Sequence, residues 1–347
     1  MGIKSINDIL KENCPSVFEK VKLKSFEGGR IAIDSNLYFN TIICSSYKSV
    51  VNSSENPIDE DIDINLVLSH SINYMLNFIC KLLLSKVEPI WVWDGKSKIE
   101  KKECIDKRKK SKEQQNLKIS SKKEEITAVN PLLRTPDKIK EYKALIGNKN
   151  IMNHDLLQHF RNIIELLGFI SIQAPADGEK MCSALCHEDI VKAVWSKDTD
   201  NYILGTKILI TGFNGYDEEN NIVVDIVNVE NIFLTLNKPK EWFTDLCIML
   251  GCDFNTNIPR VGLKKSWALM NKYSSIESII ENNKQFNSEC LNIEMCREIF
   301  KYEPSDIDLS ILNFSLEKFN THINDIIEQY NIPHQTFKLL IKATTYN

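Results

Sequence analysis

Between Gln173 and Asp200 the chain carries Asp177 and Glu179, then Asp198 and Asp200, two pairs of acids spaced i,i+2 and each just beyond an apolar segment. In an extended or turn backbone, residues two apart point to the same side, so each pair aims both carboxylates into one space. Acids crowded in this way repel one another unless they are protonated or neutralised, and a divalent cation is the usual neutraliser. The stretch therefore constrains the fold to gather these groups around a magnesium-type site. Other segments must supply the remaining ligands and the substrate.

Two more apolar strand candidates end in an acid: Arg30-Ile-Ala-Ile-Asp34 and Pro89-Ile-Trp-Val-Trp-Asp94. Phe169 to Gln173 ends near Asp177, and Ile190 to Trp195 ends near Asp198. Between them lie helical patterns at Leu37–Val51, Ile64–Lys86, His154–Leu167 (stopped by Gly168) and Lys180–His187. Strands alternating with helices imply an α/β fold with a mainly parallel central sheet flanked by helices. Ligands of such sheets sit outside the carboxyl ends of the strands. Asp34, Asp94, Asp177, Glu179, Asp198 and Asp200 are thus expected on one rim, with Asp253 approaching from the end of the apolar helix Trp242–Leu250. Gly2–Phe18 reads as a short helix, and Lys207–Thr211 with Ile222–Val227 as a strand pair. Taken singly, Asp34 reads equally as a strand-end turn residue, Asp94-Gly95 as a common turn and the paired acids as solvated loops. Their joint placement at strand ends is what favours a site.

The net charge of −4 argues against a nucleic-acid partner on its face, but its distribution does not. Lys96 to Lys123 holds twelve Lys or Arg against four Asp or Glu, a local +8, so the remainder carries −12. From Lys96 to about Asn150 large apolar residues are few, which predicts an inserted, partly helical, mobile segment without its own core. The ten cysteines include no Cys-x-x-Cys pair and read as free thiols. The best membrane candidate, Tyr74–Leu84, is short and carries Lys81, and the start of the chain has no apolar signal region, so neither a membrane span nor secretion is expected.

Two divalent ions about 4 Å apart can activate a water and stabilise the leaving oxygen of a phosphodiester. Magnesium keeps several waters and takes only one or two carboxylates directly, so some of seven acids should act through water. No Ser-His-Asp arrangement, nucleophilic Cys with a His, or phosphate-binding Gly-Lys-Ser/Thr is present. Lys101 and Arg108, seven apart, share a face if helical and suit a scissile phosphate. Tyr38 and Phe39 read as core residues, with base stacking as the alternative. Ile258-Pro-Arg-Val-Gly262-Leu-Lys-Lys265 is a turn entering a helix and suits a phosphate backbone.

These residues resemble the flap endonuclease family of structure-specific 5′ nucleases over nearly the whole chain. Met1-Gly-Ile-Lys is similar to the family's start, and Ile33-Asp34-Ser35, Val92-Trp-Asp94-Gly-Lys96 and Ala174-Pro-Ala-Asp177-Gly-Glu179 to its acidic motifs. Ser196-Lys-Asp198-Thr-Asp200 and Asp245 through Gly251-Cys-Asp253 complete the set. The resemblance implies a 5′ nuclease (PIN-like) fold and seven metal-site acids: Asp34, Asp94, Asp177, Glu179, Asp198, Asp200 and Asp253. It implies catalytic cations Lys101 and Arg108 on a helical arch, and Gly2 as a new N-terminus beside the substrate. DNA contacts fall to Gly2, Tyr38, Phe39, Lys96, Arg260, Gly262, Lys264 and Lys265, the last four at a helix–two-turn–helix that holds potassium in relatives. The chain departs from the family at three points. Asp177 stands where Glu is usual, Arg260 replaces the first glycine of a Gly-x-Gly hairpin, and Asn40 stands at the stacking tyrosine.

The expected function is magnesium-dependent cleavage of 5′-flap or other branched DNA, with 5′ exonuclease activity, by two Mg²⁺ ions for which Mn²⁺ substitutes. The alternatives are a relative specialised for bubbles, four-way junctions or RNA ends, and a catalytically silent junction-binding protein. Four regions are expected: 1–95 and 151–240 as nuclease regions, 96–150 as a basic arch helical only with DNA, and 241–347 as the duplex-gripping part. A monomer at an intracellular site of DNA replication, nuclear or cytoplasmic, without a sliding-clamp box, completes the reading.

Overall fold

The computed structural model describes residues 2–96, 102–129, 134–308 and 313–345. Its elements in chain order are α1 (Ile6–Asn13), β1 (Phe18–Lys22), β2 (Arg30–Asp34), α2 (Ser35–Ser53), α3 (Ile64–Leu84), β3 (Glu88–Trp93), α4 (Lys102–Thr127), α5 (Pro136–Gly147) and α6 (His154–Leu166). There follow β4 (Ile170–Gln173), α7 (Gly178–His187), β5 (Ala193–Trp195), α8 (Asn201–Leu204), β6 (Ile208–Tyr216), β7 (Ile222–Asn228) and α9 (Val229–Leu236). The remaining helices are α10 (Lys240–Leu250), α11 (Leu263–Tyr273), α12 (Ile276–Asn282), α13 (Ile293–Ile299), α14 (Leu316–Gln329) and α15 (His334–Thr345). Two compact units result, one from Met1–Ser35, Ser85–Cys104 and Ile172–Leu312, the other from Asn36–Leu84, Ile105–Ser171 and Asn313–Asn347.

The first unit is built on a seven-stranded sheet in the order β1-β7-β6-β5-β2-β3-β4. β2 runs parallel to β3 and β5, with Ile33 opposite Trp91 on one side and Trp195 on the other, and β5 runs parallel to β6. Ile31, Ala32, Ile33, Ile90, Trp91, Val92, Ala193 and Val194 are all buried, as strands covered on both faces require. α7 packs across β2, β3 and β5. α10 is buried at every position from Trp242 to Leu250, so it is an interior helix rather than a one-faced surface one.

The antiparallel margin differs from expectation. Gly2–Phe18 is not one helix: α1 stops at Asn13, Pro15 opens a single 3₁₀ turn, and Phe18 begins β1, which pairs antiparallel with β7. β1 is an edge strand reading Phe-Glu-Lys-Val-Lys, with too few apolar residues to show a period.

In the second unit, α3 is a 21-residue helix long and apolar enough by composition alone to cross a membrane, beyond the short run expected. It is a core helix instead: Val67, Met75, Leu76, Ile79 and Leu82 are buried, and α15 packs on it. α4 forms a continuous 26-residue helix within the segment expected to be partly helical. Within that segment, Ile126 of α4 and Tyr142 and Ile146 of α5 are buried. α6 begins at Asn153, whose side chain accepts the Leu156 N–H, and ends at Gly168 with φ +77°. A Cβ on Gly168 would stand 2.6 Å from the Ser315 carbonyl, so glycine is required both by backbone and by space.

Candidate metal centre

Because β2, β3 and β5 are parallel, Asp34, Asp94 and the Ser196–Asp200 turn leave the sheet on the same edge. The chain leaving β4 is laid against the exit of β3. Ala174 N–H donates to Trp93 O (2.9 Å), Gly95 N–H to Ala176 O (2.6 Å), and Gly178 N–H to Asp94 Oδ1 (2.8 Å). Asp94 thereby sits at the positive N-terminal end of α7, whose first turn carries Glu179.

Ligand oxygens of Glu179, Asp198 and Asp200 lie within 4.8 Å of one another. Asp198 and Asp200 are buried. Asp200 Oδ1 is buried with no hydrogen-bond partner, an omission that costs about 1–3 kcal/mol unless something else satisfies it. Burial, then the charges of Glu179 and Asp198, followed by Cys252 and Asp253, push the Asp200 carboxyl well above the usual carboxylate range. The buried Cys182 thiol is likewise pushed up by burial and then by Asp34, Asp94 and Glu179. Glu179 belongs to both neighbourhoods, so six acids converge: Asp34, Asp94, Glu179, Asp198, Asp200 and Asp253. Asp177 stands half-exposed at the N-cap of α7. An all-oxygen set of this kind fits a hard divalent cation such as Mg²⁺ or Mn²⁺.

Three supports of this cluster escaped the sequence reading. Ser196 Oγ donates to Asp34 Oδ2 (3.0 Å) and accepts the Asp198 N–H (3.1 Å), tying the end of β2 to the turn after β5. Asn201, fully buried, donates through Nδ2 to Asp198 O (3.0 Å) and accepts from the Ser183 and Thr206 hydroxyls (3.1 Å each). The N-terminal residues bridge two acid-bearing turns: Thr199 Oγ1 donates to Ile3 O (3.3 Å) and Lys4 N–H donates to Gly251 O (3.0 Å). Gly2, at φ +89°, has no room for a side chain, since a Cβ would stand 2.2 Å from Asp198 Oδ1 and 2.9 Å from Asp200 Oδ1. Ser196 was visible within the Ser-Lys-Asp-Thr-Asp motif, but nothing in the sequence marked the reach of residues 2–4.

The candidate DNA contacts are more scattered. Phe39 has no exposed surface and stacks on Phe160 at 4.6 Å, which removes it from the base-stacking candidates: it is core. Tyr38 is partly exposed and packs on Phe78 at 4.6 Å. Arg108 is exposed on α4, in the second unit, whereas Lys101 lies outside the described residues. Lys96 is exposed after Gly95. Gly262 is the N-cap of α11, Lys264 and Lys265 are exposed in its first turn, and Lys265 Nζ lies 4.9 Å above the Phe286 ring. Arg260 takes φ +65°, a left-handed conformation that costs a non-glycine residue about 1–2 kcal/mol.

The family profile described as the XPG N-terminal domain matches residues 1–115, and the XPG I-region matches residues 168–253. Flap endonuclease 1 of Heterostelium pallidum is 28% identical over 307 residues, covering 87% of this chain and 74% of that protein. Among solved structures, the catalytic core of Rad2 in complex with DNA substrate superposes with a TM-score of 0.68 at 17% identity, covering 99% of this chain and all of the other. Flap endonuclease-1 from Methanococcus jannaschii superposes at 0.61 with 15% identity, covering 94% and 95%.

Proposed function

Because the chain belongs to the XPG and flap endonuclease family of 5′ nucleases, we propose that it is a divalent-metal-dependent, structure-specific nuclease that hydrolyses phosphodiesters of flap or otherwise branched DNA. The observation that carries the reading is the buried, unpartnered Asp200 oxygen among Glu179 and Asp198, at the strand edge that also presents Asp34 and Asp94. Glu179, Asp198 and Asp200 hold one cation in this reading, and Asp34, Asp94 and Asp253 complete the site. Asp177, one methylene shorter than the family's usual Glu, acts through water. Bound divalent cations, two Mg²⁺ or Mn²⁺ in this proposal, would activate water and stabilise the leaving oxygen.

The chain's own residues hold that site in shape. Ser196 and Asn201 fix the Asp34 carboxylate and the Asp198 backbone, and the bare Cα of Gly2 leaves space beside the acids. Lys101 and Arg108 counter phosphate charge, and Lys264 and Lys265, with the amides that follow Gly262, grip duplex phosphates. Potassium at the hairpin stays outside the proposal because Arg260 occupies the position of the glycine. The setting is an intracellular site of DNA replication or repair, with the protein acting as a monomer.

The test is a labelled 5′-flap duplex in Mg²⁺, run beside bubble, four-way-junction and RNA substrates. Wild type should cut the flap. Asp198→Ala should still bind it but cut at least ~100-fold more slowly. Equal cutting by the variant, or cutting in excess chelator, would refute the assignment. Faster cutting of another substrate would move the specificity within the family.

A further inference from the structure

A cavity of about 940 Å³ opens at the start of α10, lined among others by Lys238, Lys240, Trp242, Arg297, Lys301 and Tyr302. This is the size of a pocket for a nucleotide-sized ligand. α10 is 11 residues long, so about 16 Å of helix separates the cavity from the turn that carries Asp253. It is therefore not part of the acidic cluster.

The ionic pairing inside the cavity is uneven. Arg297 is fully committed: Nε and Nη2 donate to both oxygens of the buried Asp245 (2.9 and 2.8 Å), and Nη1 and Nη2 donate to Glu277 (2.6 and 3.1 Å). Lys301 is paired with Glu298. Lys238 Nζ is held over the Trp242 ring at 5.1 Å. Lys240 is different: it is half-buried, burial pulls its ammonium below the usual lysine range, and no ion pair to it exists among the described residues. Its neighbour Glu241, which also lines the cavity, opposes the effect of burial through space without forming an ion pair with it. A partly desolvated ammonium facing a large cavity without an ion-pair partner is costly, and an anion entering the cavity would lower that cost. Tyr302, also in the lining, is 39% exposed, with its hydroxyl fixed on Glu188 (2.6 Å) and its ring packed against His187 on one side (centroids 4.6 Å).

We propose that this cavity is a second, non-catalytic binding site that takes a nucleotide phosphate on Lys240 and Lys238, with the base against Tyr302. The choice of a nucleotide among anions rests on the nuclease reading; the anion site itself rests on the cavity and its unpaired lysine. The phosphate can come from a free nucleotide or from a single-stranded flank of the substrate, and the experiment separates these sources.

Protein labelled with 5-fluorotryptophan is titrated in excess chelator, so that the acidic cluster stays metal-free, and the ¹⁹F resonance of Trp242 is assigned with Trp242→Phe. A nucleoside 5′-monophosphate should shift that resonance saturably and the matched nucleoside should not. Lys240→Gln should weaken the binding at least ~10-fold and Lys240→Arg should retain it. A shift with a short single-stranded oligonucleotide but not with the monophosphate would identify the strand as the source and uphold the site. Inorganic phosphate binding as tightly as the monophosphate would overturn the nucleotide assignment. No shift with any of these probes, or equal affinity in Lys240→Gln, would overturn the site. Flap cleavage in Mg²⁺ by wild type and Asp198→Ala tests the nuclease reading, whereas the metal-free titration tests the cavity, so either reading can fail without the other.

Discussion

A carboxylate sealed among other carboxylates is a poor choice for stability and a good one for binding a cation, and Asp200 is that residue here. Its folded carboxyl is held well above the unfolded value, first by burial and then by Glu179 and Asp198. The stabilising contribution of such a group is fully present below the unfolded value, near ~3.9, and is lost as pH rises through the raised folded one. Ionising Asp200 in the metal-free protein therefore works against the fold. Asp200→Asn keeps the shape and removes the ionisable group. It should raise the thermal midpoint of the metal-free protein at pH 7, by the equivalent of ~1–3 kcal/mol, and abolish most of the further rise that Mg²⁺ gives wild type. A lower metal-free midpoint, or an undiminished Mg²⁺ effect, would show that Asp200 is satisfied by other means. Ser196 holds the neighbouring acids in place, donating a hydrogen bond to Asp34 Oδ2 while accepting one from the Asp198 N–H.

At the level of elements, α7 is fastened along its length by the segment that follows α13. Lys180 in its first turns pairs with Glu303 (3.0 Å), and Glu188 at its C-cap accepts the Tyr302 hydroxyl (2.6 Å), the Ser305 N–H (2.7 Å) and the Ser305 hydroxyl. Burial alone would raise the Glu188 carboxyl, but the bonds from Ser305 and Tyr302 outweigh it and hold the group below its usual range. A depressed carboxylate stabilises above its unfolded value and loses that contribution as pH falls through the folded one. Amide-exchange protection of residues 302–308, corrected for intrinsic rates, should therefore drop as pH falls through the acid range. Glu188→Gln should show the lowered protection already at pH 7, with no further change on acidification. Elements of this kind differ in how far the sequence reveals them. β2, β3 and β5 were legible because an apolar run buried on both faces stops at an acid. β1 was not, because an edge strand of alternating charge has its meaning only beside β7, some 200 residues later. α4 was read as part of a partly helical insertion, and its many Lys, Glu and Gln, good helix formers, carry one continuous helix. The acids of the site were readable one motif at a time; the bonds from Ser196, Asn201 and residues 2–4 that hold them together were not, since each joins motifs distant in the chain.

At the scale of the whole molecule, a protein of net charge −4 must meet a polyanion through local concentrations of lysine rather than through its overall field. Lys264 and Lys265, exposed in the first turn of α11, are one such place. Each lysine that neutralises a phosphate contributes about 0.9 to the slope of log affinity against log salt. The double variant Lys264→Gln, Lys265→Gln should weaken flap-DNA binding and flatten that slope by up to about 2, while leaving the Mg²⁺-induced rise in thermal midpoint intact. An unchanged slope would place the duplex elsewhere. The N-terminal bridge also bears on how the fold closes. Ile3 and Lys4 take their hydrogen-bond partners from Thr199 and Gly251, far along the chain. This bridge between the turns that carry Asp198, Asp200 and Asp253 is a long-range contact, of the kind that forms only after the intervening chain has been brought together.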